Sequence, residues 1–306
     1  MLDINNDCAI NQGKKYLYKY VTADTACKIL TNFTVKWSSP LIFNDPFDMQ
    51  TEIRFDFSEE EQLKHLIDEI IRLGCIDRDE VLRDSCIGID VIKDMRTKHN
   101  TIDQGRLRDH FQEAFKLLIP RLEEQIELHN RWWRSSVKAV RVFCVVEEHD
   151  NLLMWAHYSK NHTGAVIKFR LIPELDTALC GALPIQYENR PPTLATMEEY
   201  MQDLTGKKSI DTYNTSLVYT LTKSAHWQYE KEWRCAKKSS STNLRKRTEF
   251  VPIVPDEIDT VYLGLKMNYQ KEDAIIRCLT GPLRDVHVYK AKRSKTKYGL
   301  DFDRIK

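Results

Sequence analysis

The run Arg141-Val142-Phe143-Cys144-Val145-Val146 restricts the fold more than any other stretch of the chain. It is nearly all apolar and is bounded by charged residues. Such a segment has no polar face to offer to water, so it reads as a central strand buried on both sides. A sheet must therefore be built around it. The chain has 306 residues, 42% hydrophobic and 30% charged, enough for a substantial core.

Around that strand the periodicity alternates between strand and helix. Tyr16–Val21 reads as a first strand, with Leu17, Lys19 and Val21 on one face and Tyr16, Tyr18 and Tyr20 on the other. Lys19 either lays its stem along apolar surface or projects into a cleft. Thr22 or Asp24 is placed to cap a short helix, Thr25–Leu30, and Thr34–Trp37 reads as a second strand. Ser58-x-x-Glu61 is a capping-box pattern ahead of an apolar stripe of Leu63, Leu66, Ile67, Ile70 and Ile71, with Gly74 as the expected stop. Residues 79–99 and 103–134 read as helical, broken near Pro120. Asp150 is the expected cap of a helix carrying Leu152 to Tyr158. Strands are expected at 165–169, 183–187, 228–236, 249–253, 258–263 and 285–290, and helices at 194–204, 212–222 and 268–279. The sum is one α+β domain over 1–306, a mixed, largely antiparallel sheet with flanking helices and a helical insertion at 58–135.

Composition narrows the function classes. There is no Walker A loop and no Gly-x-Gly-x-x-Gly. The net charge of +1 gives no global attraction to nucleic acid. The basic runs at 237–247 and 290–297 are either solvated loops or a rim for phosphates of a protein or nucleic-acid acceptor. Eight cysteines without a Cys-x-x-Cys pair read as free thiols in a reducing compartment. No signal-peptide pattern and no apolar run of spanning length is seen, so the expectation is a cytoplasmic protein without a membrane partner.

Three segments carry candidate chemistry. Trp227 to Arg234 reads as a strand with Tyr229, Lys231 and Trp233 on one face and Glu230, Glu232 and Arg234 on the other. Those charges form either an ion-pair network with Lys223 at a sheet edge or the acidic end of an active site. Phe43-Asn44-Asp45-Pro46-Phe47-Asp48 is either a rigid turn or a pocket mouth lined by Asn44, Asp45 or Asp48. Met154 to Tyr158 places Trp155 and Tyr158 on one helical face, either as core aromatics or with Tyr158 as a stacking platform and His157 as acid or base. The carboxylates and His157 match no closed zinc or calcium spacing, so no metal is expected.

Together with Leu17-Tyr18-Lys19-Tyr20, His162-Thr163-Gly164 and Val261-Tyr262-Leu263-Gly264, these segments resemble the bacterial family called domain of unknown function 2971, over roughly residues 16–295. That family is associated with mobile and phage-defence gene content. A second resemblance is to the ADP-ribosyltransferase arrangement: a strand with a basic residue, a middle Tyr, then Glu-x-Glu. It implies NAD as substrate, Lys19 as the early basic residue, Tyr158 as the middle residue, Glu232 as the late glutamate and Glu230 as its helper. Tyr20, Asn44, Asp45, Trp155 and Arg234 complete the candidate NAD-binding set. A nuclease-like enzyme using the same acidic cluster, and a non-catalytic sensor or interaction module, are the alternatives.

Overall fold

In the computed structural model, described for residues 7–77, 79–81, 89–97, 105, 108–109, 111 and 119–306, the apolar run is the strand on which the sheet turns. The strands are β1 (Tyr16–Val21), β2 (Thr34–Ser38), β3 (Val140–Val146), β4 (Ala165–Arg170), β5 (Leu183–Pro184), β6 (Gln186–Glu188), β7 (Thr222–Ser224), β8 (Glu232–Lys238), β9 (Thr248–Pro252), β10 (Ile258–Leu263), β11 (His287–Arg293) and β12 (Leu300–Arg304). Ten of them form one sheet in the order β12-β11-β10-β4-β1-β3-β2-β9, with β8 and β5 joined to β3 off that path. Its pairs are antiparallel except β10 with β11. β6 and β7 form a separate parallel pair. The fold is α+β.

The two edges of β3 are used differently. β8 runs along one edge from Val140↔Lys238 to Val146↔Glu232. The other edge is shared: β1 pairs at Tyr18↔Val146 and β2 at Ser38↔Val142. Between those points β1 and β2 part, leaving a notch in the sheet.

Each face of the sheet has its own core. On one, Leu17, Val35, Phe143, Val145 and Trp233 pack with residues of helices Ala23–Asn32 and Tyr269–Cys278. Thr22 is the observed cap of the first of these, its hydroxyl accepting from Thr25 N. On the other, Tyr20, Val146, Val166 and Tyr262 cluster with Met154 and Trp155 of helix Leu152–Tyr158. Asn151, not Asp150, caps that helix, its Oδ1 accepting from Leu153 N and Met154 N at 3.0 and 3.2 Å. The chain then reverses through Lys160, Asn161 and His162, all left-handed at φ 50°, 55° and 66°. Gly164 and Gly264 hold this turn against the sheet: a Cβ on Gly164 would meet Val21 O at 2.2 Å, and one on Gly264 would meet His162 O at 2.3 Å.

The chain divides into two compact units. Met1–Gln50, Ser136–Pro191 and Leu221–Lys306 make the first, which contains the sheet. Thr51–Ser135 and Pro192–Thr220 make the second, so the segment read as an insertion shares its unit with residues 192–220. The second unit is helical: Glu59–Ile71, Ile89–Thr97, Met197–Leu204 and most of Ile119–Ala139 and Thr212–Leu221. The capping box at Ser58 forms with both of its hydrogen bonds, and the five apolar residues of the stripe are buried. Gly74 does not stop the helix, which continues as a π-turn over Arg72–Ile76. A Cβ there would lie 2.7 Å from Met95 Cε, so the glycine serves close packing rather than a left-handed cap. Pro120 is helical, and residues 112–118 before it lie outside the described set, as do 98–104 and most of 79–88 from the expected helices.

One further expectation is corrected: Thr222, read as the end of the helix over 212–222, opens strand β7, and β12 adds a last strand that the periodicity does not announce. The seven cysteines among the described residues are free thiols. No helix among the described residues is long and apolar enough to cross a membrane.

Asp259, at the bulge between Ile258 and Thr260 of β10, ties this strand to β4 by ion pairs to Lys168 at 2.9 Å and Arg170 at 2.5 Å. Burial raises its carboxyl, but those two cations outweigh it and hold the pKa at about 2, below the ordinary 3.8. The native state thus binds fewer protons than the unfolded one, and this stability is present above about pH 4 and lost as pH falls towards 2. Asp259→Asn should lower the melting temperature at pH 7 by about 2 °C, or about 1 kcal/mol after allowance for solvent screening. In acid titrations followed by circular dichroism, the variant should lose less stability than the native protein over that range.

Candidate active site

The notch opens into a cleft of about 490 Å³. Val142, Cys144 and Val146 of β3 line its floor, and Met154, His157 and Tyr158 one wall. Lys36 and Ser38 of β2 line the opposite side, and Asp48, Lys223, Glu230 and Glu232 close the acidic end. Strand register explains the arrangement. Val146 faces Glu232, and Cys144 faces Arg234, so these side chains leave the same surface of the sheet.

Arg234 is the hub of the acidic end and is 1% exposed. Its fork donates to both oxygens of Asp48 at 2.8 and 2.6 Å, and its Nε donates to Glu232 Oε1 at 2.7 Å. Lys223 Nζ donates to Glu230 Oε2 at 2.5 Å and Glu232 Oε2 at 2.8 Å. Tyr158 donates its hydroxyl to Glu230 Oε1 at 2.6 Å, and Asn44 Nδ2 donates to the Tyr158 oxygen at 3.3 Å. The Glu232 N–H donates to Tyr187 Oη at 2.8 Å.

With all three carboxylates ionised against two cations, 2 − 3, this buried group stands at −1. The carboxylates respond unequally. Burial alone would raise Glu232, but Arg234 and Lys223 prevail and hold it far below the usual carboxylate range. Burial raises Glu230 against the pull of Lys223, and it raises Asp48 against the pull of Arg234. Both Asp48 oxygens accept from the Arg234 cation, whereas Glu230 has a cation on one oxygen and the neutral Tyr158 hydroxyl on the other, so Glu230 is the carboxylate better placed to gain and lose a proton. Burial and then the adjacent Glu230 charge push the Tyr158 phenol up, keeping it a donor. Burial and then Glu232 likewise keep the Cys144 thiol protonated.

The route by which Glu230 and Glu232 meet differs from simple alternation. Ala225–Glu230 is a 3-10 helix, Lys231 is left-handed at φ 47°, and the strand begins only at Glu232. The reason lies in the partner: β3 ends at Val146, opposite Glu232, so residues 227–231 have no ladder to join. Tyr229 O instead accepts from Asn151 Nδ2 at 2.8 Å. A helical end followed by one left-handed residue brings the two carboxylates to Lys223.

Of the expected site residues, Asn44, Tyr158, Glu230, Glu232 and Arg234 are joined by the contacts above. Lys19, Tyr20 and His157 line the same cleft. Lys19 lies in the notch, its Nζ donating to the Cys144 carbonyl at 2.5 Å and 5.1 Å from the Phe143 ring centre. His157 is exposed, its ring 6.5 Å from that of Tyr158. Two residues lie off the cleft. Asp45 Oδ1 accepts from Phe47 N at 2.9 Å, which makes Asp45 a turn residue. Trp155 is fully buried and its Nε1 donates to His149 O at 2.7 Å, which makes it a core aromatic. Lys36 and Ser38 went unremarked in the sequence, although their i, i+2 spacing opposite Val35 and Trp37 already placed them on one strand face.

Residues 154–235 match the model of the family described as Protein of unknown function (DUF2971). The matched segment holds Tyr158, Lys223, Glu230, Glu232 and Arg234, while Lys19, Lys36, Asn44 and Asp48 come from the chain before it. No curated protein and no solved structure matches the chain.

Removing one partner from a buried ionic group leaves the others unpaired, typically at a cost of 3–5 kcal/mol. Arg234→Met should therefore lose about 3–5 kcal/mol in urea unfolding. Glu230→Gln, at a carboxyl already raised by burial, should lose clearly less. Equal losses in the two variants would contradict the ranking.

Proposed function

We propose that this cleft binds NAD and breaks its nicotinamide–ribose bond, passing the ADP-ribosyl group to an acceptor hydroxyl or to water in the manner of an ADP-ribosyltransferase. The observation that carries the reading is convergence: Lys19, Tyr158, Glu230 and Glu232 come from four separate elements and line one cleft. The chemistry suits the charge. As the C–N bond breaks, its electron pair goes to the ring nitrogen of nicotinamide and positive charge grows on the ribose. A buried group at −1 stabilises that change more than it stabilises the ground state.

Glu230 and Glu232 have separate tasks in this reading. Glu232, ionised and fixed by Arg234 and Lys223, supplies a constant negative charge. Glu230 accepts the proton of the attacking hydroxyl as the new C–O bond forms at the ribose. Tyr158 orients Glu230 through its 2.6 Å hydrogen bond and offers its ring for stacking.

Release of nicotinamide from NAD, followed by chromatography, tests the reading. Glu230→Gln should reduce the rate about 10²–10⁴-fold with the fold intact by circular dichroism. Because burial raises Glu230, the rate should climb with pH through a midpoint above the ordinary glutamate value of 4.5, and this limb should vanish in the variant. A folded protein that neither binds NAD nor releases nicotinamide, with or without cell lysate as a source of acceptor, would end the proposal.

A further inference from the structure

The acidic end accounts for only one side of the cleft. On the other side, Lys36 is exposed and lines the cleft, and its ammonium makes no hydrogen bond or ion pair with any described residue. It differs in this from the other lysines of the cleft, since Lys223 is shared by two carboxylates and Lys19 is bonded to the Cys144 carbonyl. Ser38, two residues on, lines the cleft with its hydroxyl likewise uncommitted.

Register extends this side by one more strand. Lys36 of β2 lies directly opposite Phe250 of β9, so the two share a face of the sheet. Phe250 is 64% exposed, a large aromatic ring beside a free ammonium. Ser38 faces Val142, which belongs to the same β3 row as Cys144, and Cys144 faces Arg234. Across the adjacent strands β8, β3, β2 and β9, one surface thus carries Glu232 and Arg234, then Cys144, then Lys36 and Ser38, then Phe250. β2 is two strands from β8 and β9 is three, so at about 4.8 Å per paired strand Lys36 lies at least about 10 Å and Phe250 at least about 14 Å from Arg234.

We infer that Lys36, Ser38 and Phe250 form a nucleotide subsite that holds the ADP portion of a dinucleotide, with phosphate at Lys36 and the base stacked on Phe250. The inference rests on the NAD reading for the far end of the ligand. An uncommitted lysine is a compact point charge suited to a phosphate, and a neighbouring hydroxyl adds a donor. An exposed aromatic ring beside it accepts the face of any base. The order of groups matches such a ligand end to end: reacting ribose against the carboxylates, phosphates against the lysine, base against the ring.

The test is calorimetric titration of the full chain with ADP, without metal, in native protein, Lys36→Gln, Phe250→Ala and Glu230→Gln. Both exposed residues are replaceable without opening the core. The expected result is binding by the native protein, weakened at least tenfold in Lys36→Gln and about tenfold in Phe250→Ala, restored by Phe250→Trp, and not weakened in Glu230→Gln. That pattern supports the subsite even if no nicotinamide is ever released. Native-like ADP binding in both Lys36→Gln and Phe250→Ala, or no ADP binding by the native protein, would overturn it, while nicotinamide release unaffected by those variants would leave the reading of the acidic end standing. Loss in Lys36→Gln alone would overturn the base platform and with it the nucleotide. NAD should displace ADP more strongly than ATP does; the reverse order would overturn the dinucleotide.

Discussion

The bidentate contact of Arg234 with Asp48 joins parts of the chain that are 186 positions apart, and the acidic end of the cleft is arranged around it. A guanidinium with almost no solvent exposure has lost its water and must be repaid by anions in fixed positions. Asp48 and Glu232 supply them, which fixes the end of the 43–48 loop against β8. Lys223 then has two carboxylates within reach, which sets β7 and the 3-10 helix before β8. Each neighbour is placed because leaving any one charge unpaired in this interior would cost more than ordering the rest.

The second organising feature is the unequal use of β3. A central strand normally spends both edges on neighbours. Here the edge facing β1 and β2 is paired only near its two ends, and the gap is filled by Lys19, whose ammonium takes up the Cys144 carbonyl. The opening is therefore part of the hydrogen-bond pattern of the sheet rather than a space between loops. The left-handed turn at Lys160–His162, packed without room for a side chain at Gly164 and Gly264, fixes the helix that carries Tyr158 over that opening.

Much of this was legible in the sequence where one physical rule acts alone. The apolar run of β3, the alternation of β1 and the capping box at Ser58 each announce their structure because burial or a local hydrogen bond decides it. Lys19 is legible as a charge among apolar strand neighbours, and its ammonium lies in the notch on the Cys144 carbonyl. The failures fall where partners decide. Trp227 to Arg234 alternates like a strand, yet the strand waits until Glu232 because β3 offers no partner earlier. Gly74 looks like a helix stop, yet the space it leaves is taken by Met95. Asp45 and Trp155 are polar-loop and aromatic signals whose hydrogen bonds turn them towards the backbone and the core. No local pattern distinguishes a paired lysine such as Lys223 from an uncommitted one such as Lys36.

The unbalanced charge of the Asp48–Lys223–Glu230–Glu232–Arg234 group has a directional consequence. While Glu230 is ionised, a phosphate brought to that end would meet a net negative charge carried by side chains that are themselves buried. A cationic or neutral group would not. With the uncommitted ammonium of Lys36 on the far side of β3, the two ends of the cleft differ in charge, and an elongated ligand that is anionic at one end would be favoured in one heading over the other. Polarity of this kind is selected before any specific contact forms, since it acts on the ligand as it enters.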